Sequence, residues 1–271
     1  MKTDLAGKVV VVTGASGAIG AAIAIQFAGE GAKVVLHYRR NRGNAEALQR
    51  KLKRSDSIIV RADLTKEAEV KRLFAQTLER FARVDTLVAN AGSWETRDVP
   101  LDKMSLRQWR QTLDNVLTSA FLSTREFFKI VARQKRGNAL LIASTAGVFG
   151  EAGHSDYASA KSAMAFGLTR SLKNEIARLA PHTLTYCGGR VNCICPGWTI
   201  VPRTADRLQN TEVVRKVTST MALPKLARTE DIASAAVFLS SDALAGHITG
   251  QTLVIAGGME GRLLWPPHDE S

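Results

Sequence analysis

Cysteine is scarce in this chain of 271 residues, which has three: Cys187, Cys193 and Cys195. Cys193 and Cys195 stand at the spacing that puts two side chains on one face of a strand. No histidine or second cysteine pair completes a metal-ligand pattern around them, so a zinc or redox role is disfavoured and buried or partly buried reduced thiols are expected. Long hydrophobic runs are missing too. Stretches such as Val9–Val12 and Leu140–Ala143 fall far short of the ~20 apolar residues that cross a bilayer, so no membrane span is expected. The opening Met1-Lys2-Thr3-Asp4 lacks the apolar core of a signal peptide, and a cytoplasmic location is the expectation. Acidic residues are in deficit, with 25 Asp and Glu against 37 Lys and Arg, a net charge of +12. Much of the excess is local: Arg39, Arg40, Arg42, Arg50, Lys51, Lys53 and Arg54 face one acid, Glu46, between residues 39 and 54. Such a surface can hold phosphate, attract an acidic partner or be solvated. With no zinc-finger spacing and no aromatic platform beside it, sequence-specific nucleic-acid binding is not expected.

What the chain does contain is a globular composition, 45% hydrophobic and 23% charged, without linkers, internal repeats or low-complexity segments. Short apolar runs alternate with longer stretches of helical periodicity. Strands are expected at Val9–Thr13, Lys33–Tyr38, Ser57–Arg61, Asp85–Ala89, Leu140–Ala143, Val191–Ile194 and Thr252–Ile255. Helices are expected from the glycine-punctuated turn to about Gly31, over the basic segment after Tyr38, up to Phe81, from about Ser105 to Arg133, over Ser155–Ala180 and over Asp231–Ser240. Strand and helix in alternation predict an α/β fold, a doubly wound parallel sheet covered on both faces, with its ligand crevice at the carboxyl ends of the strands.

The first strand leads into Thr13-Gly14-Ala15-Ser16-Gly17-Ala18-Ile19-Gly20. Glycines there let the backbone turn tightly and approach a pyrophosphate at the amino end of the next helix. The second strand ends His37-Tyr38-Arg39-Arg40, with Tyr38 and arginines where an acid would reject a ribose 2′-phosphate. A guanidinium can fork onto that phosphate, so NADP(H) is favoured over NAD(H), with Arg39 as its contact. Solvated surface is the reading for Arg50 onward. Tyr157-Ala158-Ser159-Ala160-Lys161 puts Tyr157 and Lys161 four residues apart, on one face of a helix. Ser144 stands thirteen residues before Tyr157.

Together these motifs resemble the short-chain dehydrogenase/reductase family over roughly residues 5 to 260. Its usual turn is T-G-x-x-x-G-x-G, with Ala18 here in place of the middle glycine. The resemblance implies a Rossmann-type, seven-stranded parallel sheet in a single NADP-binding catalytic domain, residues 1–260, followed by a tail, 261–271. It implies cofactor contacts at Gly14, Ser16, Ala18, Ile19, Gly20, Tyr38, Arg39 and Arg40. Asp63-Leu64 would meet the adenine, and Asn90-Ala91-Gly92 would line the cleft. Pro196, Gly197 and Thr199 would sit beside the nicotinamide, with Val201 where a threonine is usual. Trp198 either lines the substrate site or packs. No metal is implied.

By the same resemblance Tyr157 is the acid/base, Lys161 lowers its pKa and holds the nicotinamide ribose, and Ser144 donates a hydrogen bond to the substrate oxygen. The chemistry asks for such groups: an oxygen that gains charge as hydride arrives must be protonated, and a free tyrosine at pKa ~10 is a poor donor and acceptor near neutrality. A cation at about 4 Å contributes about 4 kcal/mol at an effective dielectric near 20, on the order of three pKa units. One family position departs. Counting from Trp109, Val116 falls where an asparagine is usual, and Asn115 precedes it; one residue is about 100° of helix, so Asn115 does not simply substitute.

The segment of about 198–225, Thr204–Leu223 above all, should cover the substrate. The chain is similar to the 3-oxoacyl-acyl-carrier-protein reductase group, including Ile248-Thr249-Gly250-Gln251 and Gly257-Gly258-Met259. That similarity implies a carbonyl/alcohol substrate, with a 3-oxoacyl thioester on an acidic acyl carrier protein as one candidate, docked at Lys135 and Arg178, which read equally well as solvated helix-end charges. A sugar, polyol or other small ketone is the alternative. A non-catalytic NADP(H)-binding sensor or scaffold is the alternative of another class. Family members assemble through their two long helices, so a homotetramer or homodimer is expected. The stretch Pro181–Gly189 is longer than usual and carries no assigned role.

Overall fold

The structure is a computed structural model that describes residues 2–52, 55–93, 95–202 and 210–259. Lys53, Arg54, Thr204 and the expected 261–271 tail lie outside the described residues. Seven parallel strands form one sheet in the order β3-β2-β1-β4-β5-β6-β7. They are β1 Val9–Val12, β2 Lys33–Tyr38, β3 Ser57–Arg61, β4 Thr86–Ala89, β5 Asn138–Ile142, β6 Arg190–Pro196 and β7 Thr252–Ile255. The order reverses between β1 and β4, which opens a crevice at their carboxyl ends.

The central strands β1 and β4 are buried along their whole length because both faces of the sheet are covered there. Successive side chains alternate between two cores. Val9, Val11, Val35, Leu87, Leu141, Cys193 and Cys195 enter one. Val10, Val12, Val34, Leu36, Val88, Leu140 and Ile194 enter the other. The first core is roofed by α3 Glu67–Phe81, α5 Ser119–Gln134 and α8 Thr169–Leu179. The second is roofed by α1 Ala18–Gly29, α2 Arg42–Lys51 and α10 Thr229–Ser240. Two thiols on one face of β6 are therefore buried, whereas Cys187 is exposed, contrary to the expectation for all three.

The two long helices are not continuous. The first runs as α4 Leu106–Leu113, a π-helical segment Asp114–Thr118, then α5. Ser105 caps its start, its hydroxyl accepting the Gln108 amide at 3.1 Å. The second runs as α7 Ser155–Ser162, a π-helical segment Ala163–Leu168, then α8. A widened turn inserts a residue into the helical register and re-aims the side chains around it, a change invisible to apolar periodicity. Three short α-helices among the described residues were likewise not expected: α6 Ala146–Phe149, α9 Thr211–Thr218 and α11 Asp242–Ala245. The longer stretch 181–189 is a small antiparallel turn, Thr183 pairing with Tyr186. Tyr186 tucks in at the amino end of β5, its hydroxyl accepting the Gly137 amide at 2.9 Å.

Candidate active site

The glycine turn joins β1 to α1 at the crevice. Gly14 has φ +67°, a left-handed conformation in which a side chain is strained, and a Cβ there would stand 3.0 Å from Ala91 Cα. A Cβ on Gly20 would collide with the Gly14 carbonyl oxygen, so the first turn of α1 packs directly on the loop. The Asn90-Ala91 segment after β4 clips this loop to the sheet. The amides of Asn90 and Ala91 donate to Thr13 Oγ1 at 2.9 and 3.0 Å, and Asn90 Nδ2 donates to the Thr13 carbonyl at 2.9 Å. The amino end of α1 has no acidic residue in its first turn and no side-chain cap. Ser16, Ala18 and Ile19 stand at that end, which suits an anionic group.

Arg39 follows the carboxyl end of β2. Its Nη1 donates to Asn115 Oδ1 at 2.9 Å and lies 3.9 Å from Asp63 Oδ1. Burial pushes the Asp63 carboxyl up, yet the Thr65 hydroxyl and amide, Arg39 and Lys66 together hold it below its ordinary value. Tyr38 and Leu64 are buried beside this cluster and Arg40 is exposed. Arg39, Asp63 and Asn115, from three different elements, thus meet at one end of the crevice.

At the other end Tyr157 and Lys161 share one face of α7, with the Lys161 ammonium 5.7 Å from the centre of the Tyr157 ring. Lys161 is buried and its Nζ donates to the Ile142 carbonyl at 2.7 Å. Burial lowers its pKa to about 8, against the opposing pull of Cys193 and Cys195. Gly92 stands opposite: a Cβ there would lie 3.8 Å from Lys161 Nζ and 3.6 Å from Val116 Cγ2, so Val116 faces this pair. Ser144 lies two residues past β5, where its Oγ accepts the Ala146 amide at 3.2 Å. Gly147 lets α6 press onto α7; a Cβ there would stand 2.5 Å from the Ser162 nitrogen. Pro196 ends β6. Gly197 packs so tightly on Ala256 that a Cβ would be 2.7 Å from its side chain, and Thr199 Oγ1 donates to the Gly197 carbonyl at 2.9 Å.

A phenol with a buried cation beside it, a serine hydroxyl at a strand end and the glycine turn lie at the carboxyl ends of the strands. Comparison with known proteins adds to this. The model of a family described as enoyl-(acyl carrier protein) reductase matches residues 14–260. The chain is 34% identical over 259 residues to a 3-oxoacyl-[acyl-carrier-protein] reductase of Synechocystis sp., covering 95% of this chain and 98% of that protein. It is 33% identical over 254 residues to the 3-oxoacyl-[acyl-carrier-protein] reductase FabG of Staphylococcus aureus, covering 93% and 98%. A solved structure from Agrobacterium tumefaciens, provisionally named a gluconate dehydrogenase, superposes with a TM-score of 0.87 at 27% identity, over 96% of this chain and 98% of that one.

The chain belongs to the short-chain dehydrogenase/reductase family. It is an oxidoreductase fold of that family with a single Rossmann-type domain. Within this family frame, two site-building residues were not foreseen. His37 is almost fully buried near the end of β2. Its Nδ1 accepts the Gly14 amide at 2.9 Å, which leaves Nε2 to carry the proton and donate to the Ala62 carbonyl at 2.9 Å. Burial lowers its pKa to about 4, so the ring is neutral and spans from the glycine turn to the end of β3. A lone histidine in the apolar run Val34-Val35-Leu36 was the available signal.

Asp156, next to Tyr157, is the other. It is buried and accepts the Tyr157 amide at 2.8 Å, the Thr112 hydroxyl at 2.7 Å and Gln108 Nε2 at 3.2 Å. It ties α4 to the first turn of α7. Its two partners on α4 lie more than forty residues away in sequence, which is why spacing could not reveal it. Among the described residues no group of three or more His, Cys, Asp or Glu could hold a metal, and no helix is long and apolar enough to cross a membrane.

Proposed function

We propose that the protein is an NADP(H)-dependent carbonyl reductase whose preferred substrate is a 3-oxoacyl thioester. The observation that carries the reading is the Tyr157–Lys161 pair on one face of α7, at the carboxyl ends of the strands and along one crevice with the glycine turn. The residues present fit a dinucleotide. Gly14 and Gly20 leave no room for side chains where the loop meets α1, and the amino end of α1 carries no competing carboxylate. Gly14, Ser16, Ala18, Ile19 and Gly20 would hold the pyrophosphate, Arg39 and Arg40 the 2′-phosphate, Asp63 and Leu64 the adenine. Asn90, Ala91, Gly92, Pro196, Gly197 and Thr199 would hold the nicotinamide end.

When bound, the nicotinamide supplies or accepts the hydride. The chain's own residues handle the proton. Tyr157 Oη gives it to the carbonyl oxygen as charge develops there, and takes it back in the oxidative direction. Lys161, protonated below pH ~8, favours the phenolate that remains. The Ala146 amide orients Ser144 Oγ, whose own proton is then available to a substrate oxygen.

Relatives that are by name 3-oxoacyl-[acyl-carrier-protein] reductases support the thioester reading. An acidic carrier protein suits a chain of net charge +12. A sugar-derived or polyol alcohol is the second reading, favoured by the likeness to the Agrobacterium structure. The assembly is a homodimer or homotetramer. Its supporting feature is a groove of about 350 Å³ between α5 and α8, with an apolar floor of Phe121, Phe128, Leu168, Leu172 and Leu179 flanked by Arg125, Lys129 and Glu175, and with no part of Tyr157 in its lining. A screen of NADPH oxidation against acyl thioesters, sugars and simple ketones tests the function. Turnover is expected to be highest with 3-oxoacyl thioesters, and no turnover with any class would contradict the reading.

A further inference from the structure

The Arg39 side chain is long, half-buried and rich in rotamers, and an unrestrained guanidinium makes a poor recognition group because ordering it costs entropy at the moment of binding. Here it is restrained. Its Nη1 donates to Asn115 Oδ1 at 2.9 Å, a contact that crosses from the end of β2 to the π-helical segment 76 residues later in sequence. Its other partner, Asp63, holds it loosely: the separation is 3.9 Å, and Asp63 Oδ1 already accepts the Thr65 amide at 3.1 Å and the Thr65 hydroxyl at 2.8 Å. The amide oxygen of Asn115 is therefore the closer anchor. Being neutral, it orients the guanidinium without cancelling its charge, which a carboxylate in the same place would do.

Asn115 lies in the π-helical segment Asp114–Thr118, next to Val116. Val116 turns inward to Gly92 and Lys161 and is fully buried, while Asn115, one residue earlier, turns to the Arg39 end of the crevice. The polar residue at this widened turn thus serves the nucleotide end and not the Tyr157 end.

We propose that Asn115 is a specificity-determining residue that pre-orients the Arg39 guanidinium for a 2′-phosphorylated dinucleotide. The inference rests on the NADP(H) reading above. Pre-organisation improves affinity by removing an ordering cost, so its loss falls on the phosphorylated cofactor alone. Calorimetric titration of the intact protein with NADPH and with NADH reads the effect without any turnover. Wild type is expected to prefer NADPH. Asn115→Leu is expected to weaken NADPH about threefold to tenfold, the range of the ordering cost of one long side chain, and to leave NADH within about twofold. Asn115→Asp, which keeps an acceptor but neutralises Arg39, should weaken NADPH at least as much.

In an Arg39→Ala background, Asn115→Leu should have no further effect on NADPH, because the two residues act through one contact. Unchanged NADPH affinity in Asn115→Leu overturns the inference while leaving the NADP(H) reading intact. So does an equal fall for both cofactors, and so does full additivity with Arg39→Ala. Equal binding of the two cofactors by wild type overturns the NADP(H) reading and this inference with it.

Discussion

Lys161 is buried, and its Nζ donates to the Ile142 carbonyl at 2.7 Å. Its pKa falls from 10.5 to about 8 because water is excluded. A depressed lysine pKa means the fold favours the neutral amine. The stabilising contribution is therefore full above pH 10.5, shrinks as pH falls towards 8, and is absent at neutrality, where the buried charge costs about 3 kcal/mol. Lys161→Met is accordingly expected to raise thermal stability at pH 7, by about 1–3 kcal/mol after the loss of the carbonyl hydrogen bond, while abolishing turnover. The gain should vanish above pH ~10. Calorimetric melts across pH check it, and a variant destabilised at pH 7 would contradict it. Such a cost is what a site pays for keeping a cation dry beside a phenol.

At the scale of elements, the site depends on how α4 and α7 are joined. Asp156 takes three hydrogen bonds in a dry contact, two of them from α4. Removing the Thr112 hydroxyl leaves a buried carboxylate short of a donor, so Thr112→Val should cost about 1–3 kcal/mol. The same substitution at Thr118, whose hydroxyl donates to Asp114 at 3.2 Å on the surface, should cost less than about 0.5 kcal/mol. Denaturant melts of the two variants decide this, and equal costs would mean that burial is not what gives the Asp156 contact its weight.

The elements themselves were largely readable in the sequence. β2, β3 and β7 were delimited by their apolar runs, and the starts of α4 and α7 by Ser105 and by the Tyr157 motif. The glycine turn, Asn90-Ala91-Gly92 and Tyr157–Lys161 were legible because each is local, its members within a few residues of one another. What escaped notice is non-local or a departure from regular period. His37 reaches Gly14 and Ala62, Asp156 reaches Thr112, and Arg39 reaches Asn115 only once the sheet has brought them together. The π-helical segments escaped because one inserted residue barely disturbs an apolar stripe.

At the scale of the whole molecule, the α5 and α8 faces present an apolar groove on the outside of one core, with Phe121 46% exposed at its edge. The second copy proposed above would cover this surface about a two-fold axis, the same patch meeting itself. Phe121→Glu puts a charge into that contact on both subunits. Sedimentation is expected to show a dimer or tetramer for wild type and a shift to smaller species for the variant. A wild-type monomer, or an unchanged variant, would place the interface elsewhere.

The proposed activity turns on the Tyr157 phenol. NADPH oxidation with a 3-oxoacyl thioester, followed for wild type and Tyr157→Phe with NADPH binding titrated on the same samples, tests it most directly. Wild type is expected to turn over, and Tyr157→Phe to fall by ~100-fold or more, the usual worth of a positioned acid, with NADPH bound as tightly as before. Undiminished turnover in Tyr157→Phe would contradict the assignment of Tyr157 as the proton donor.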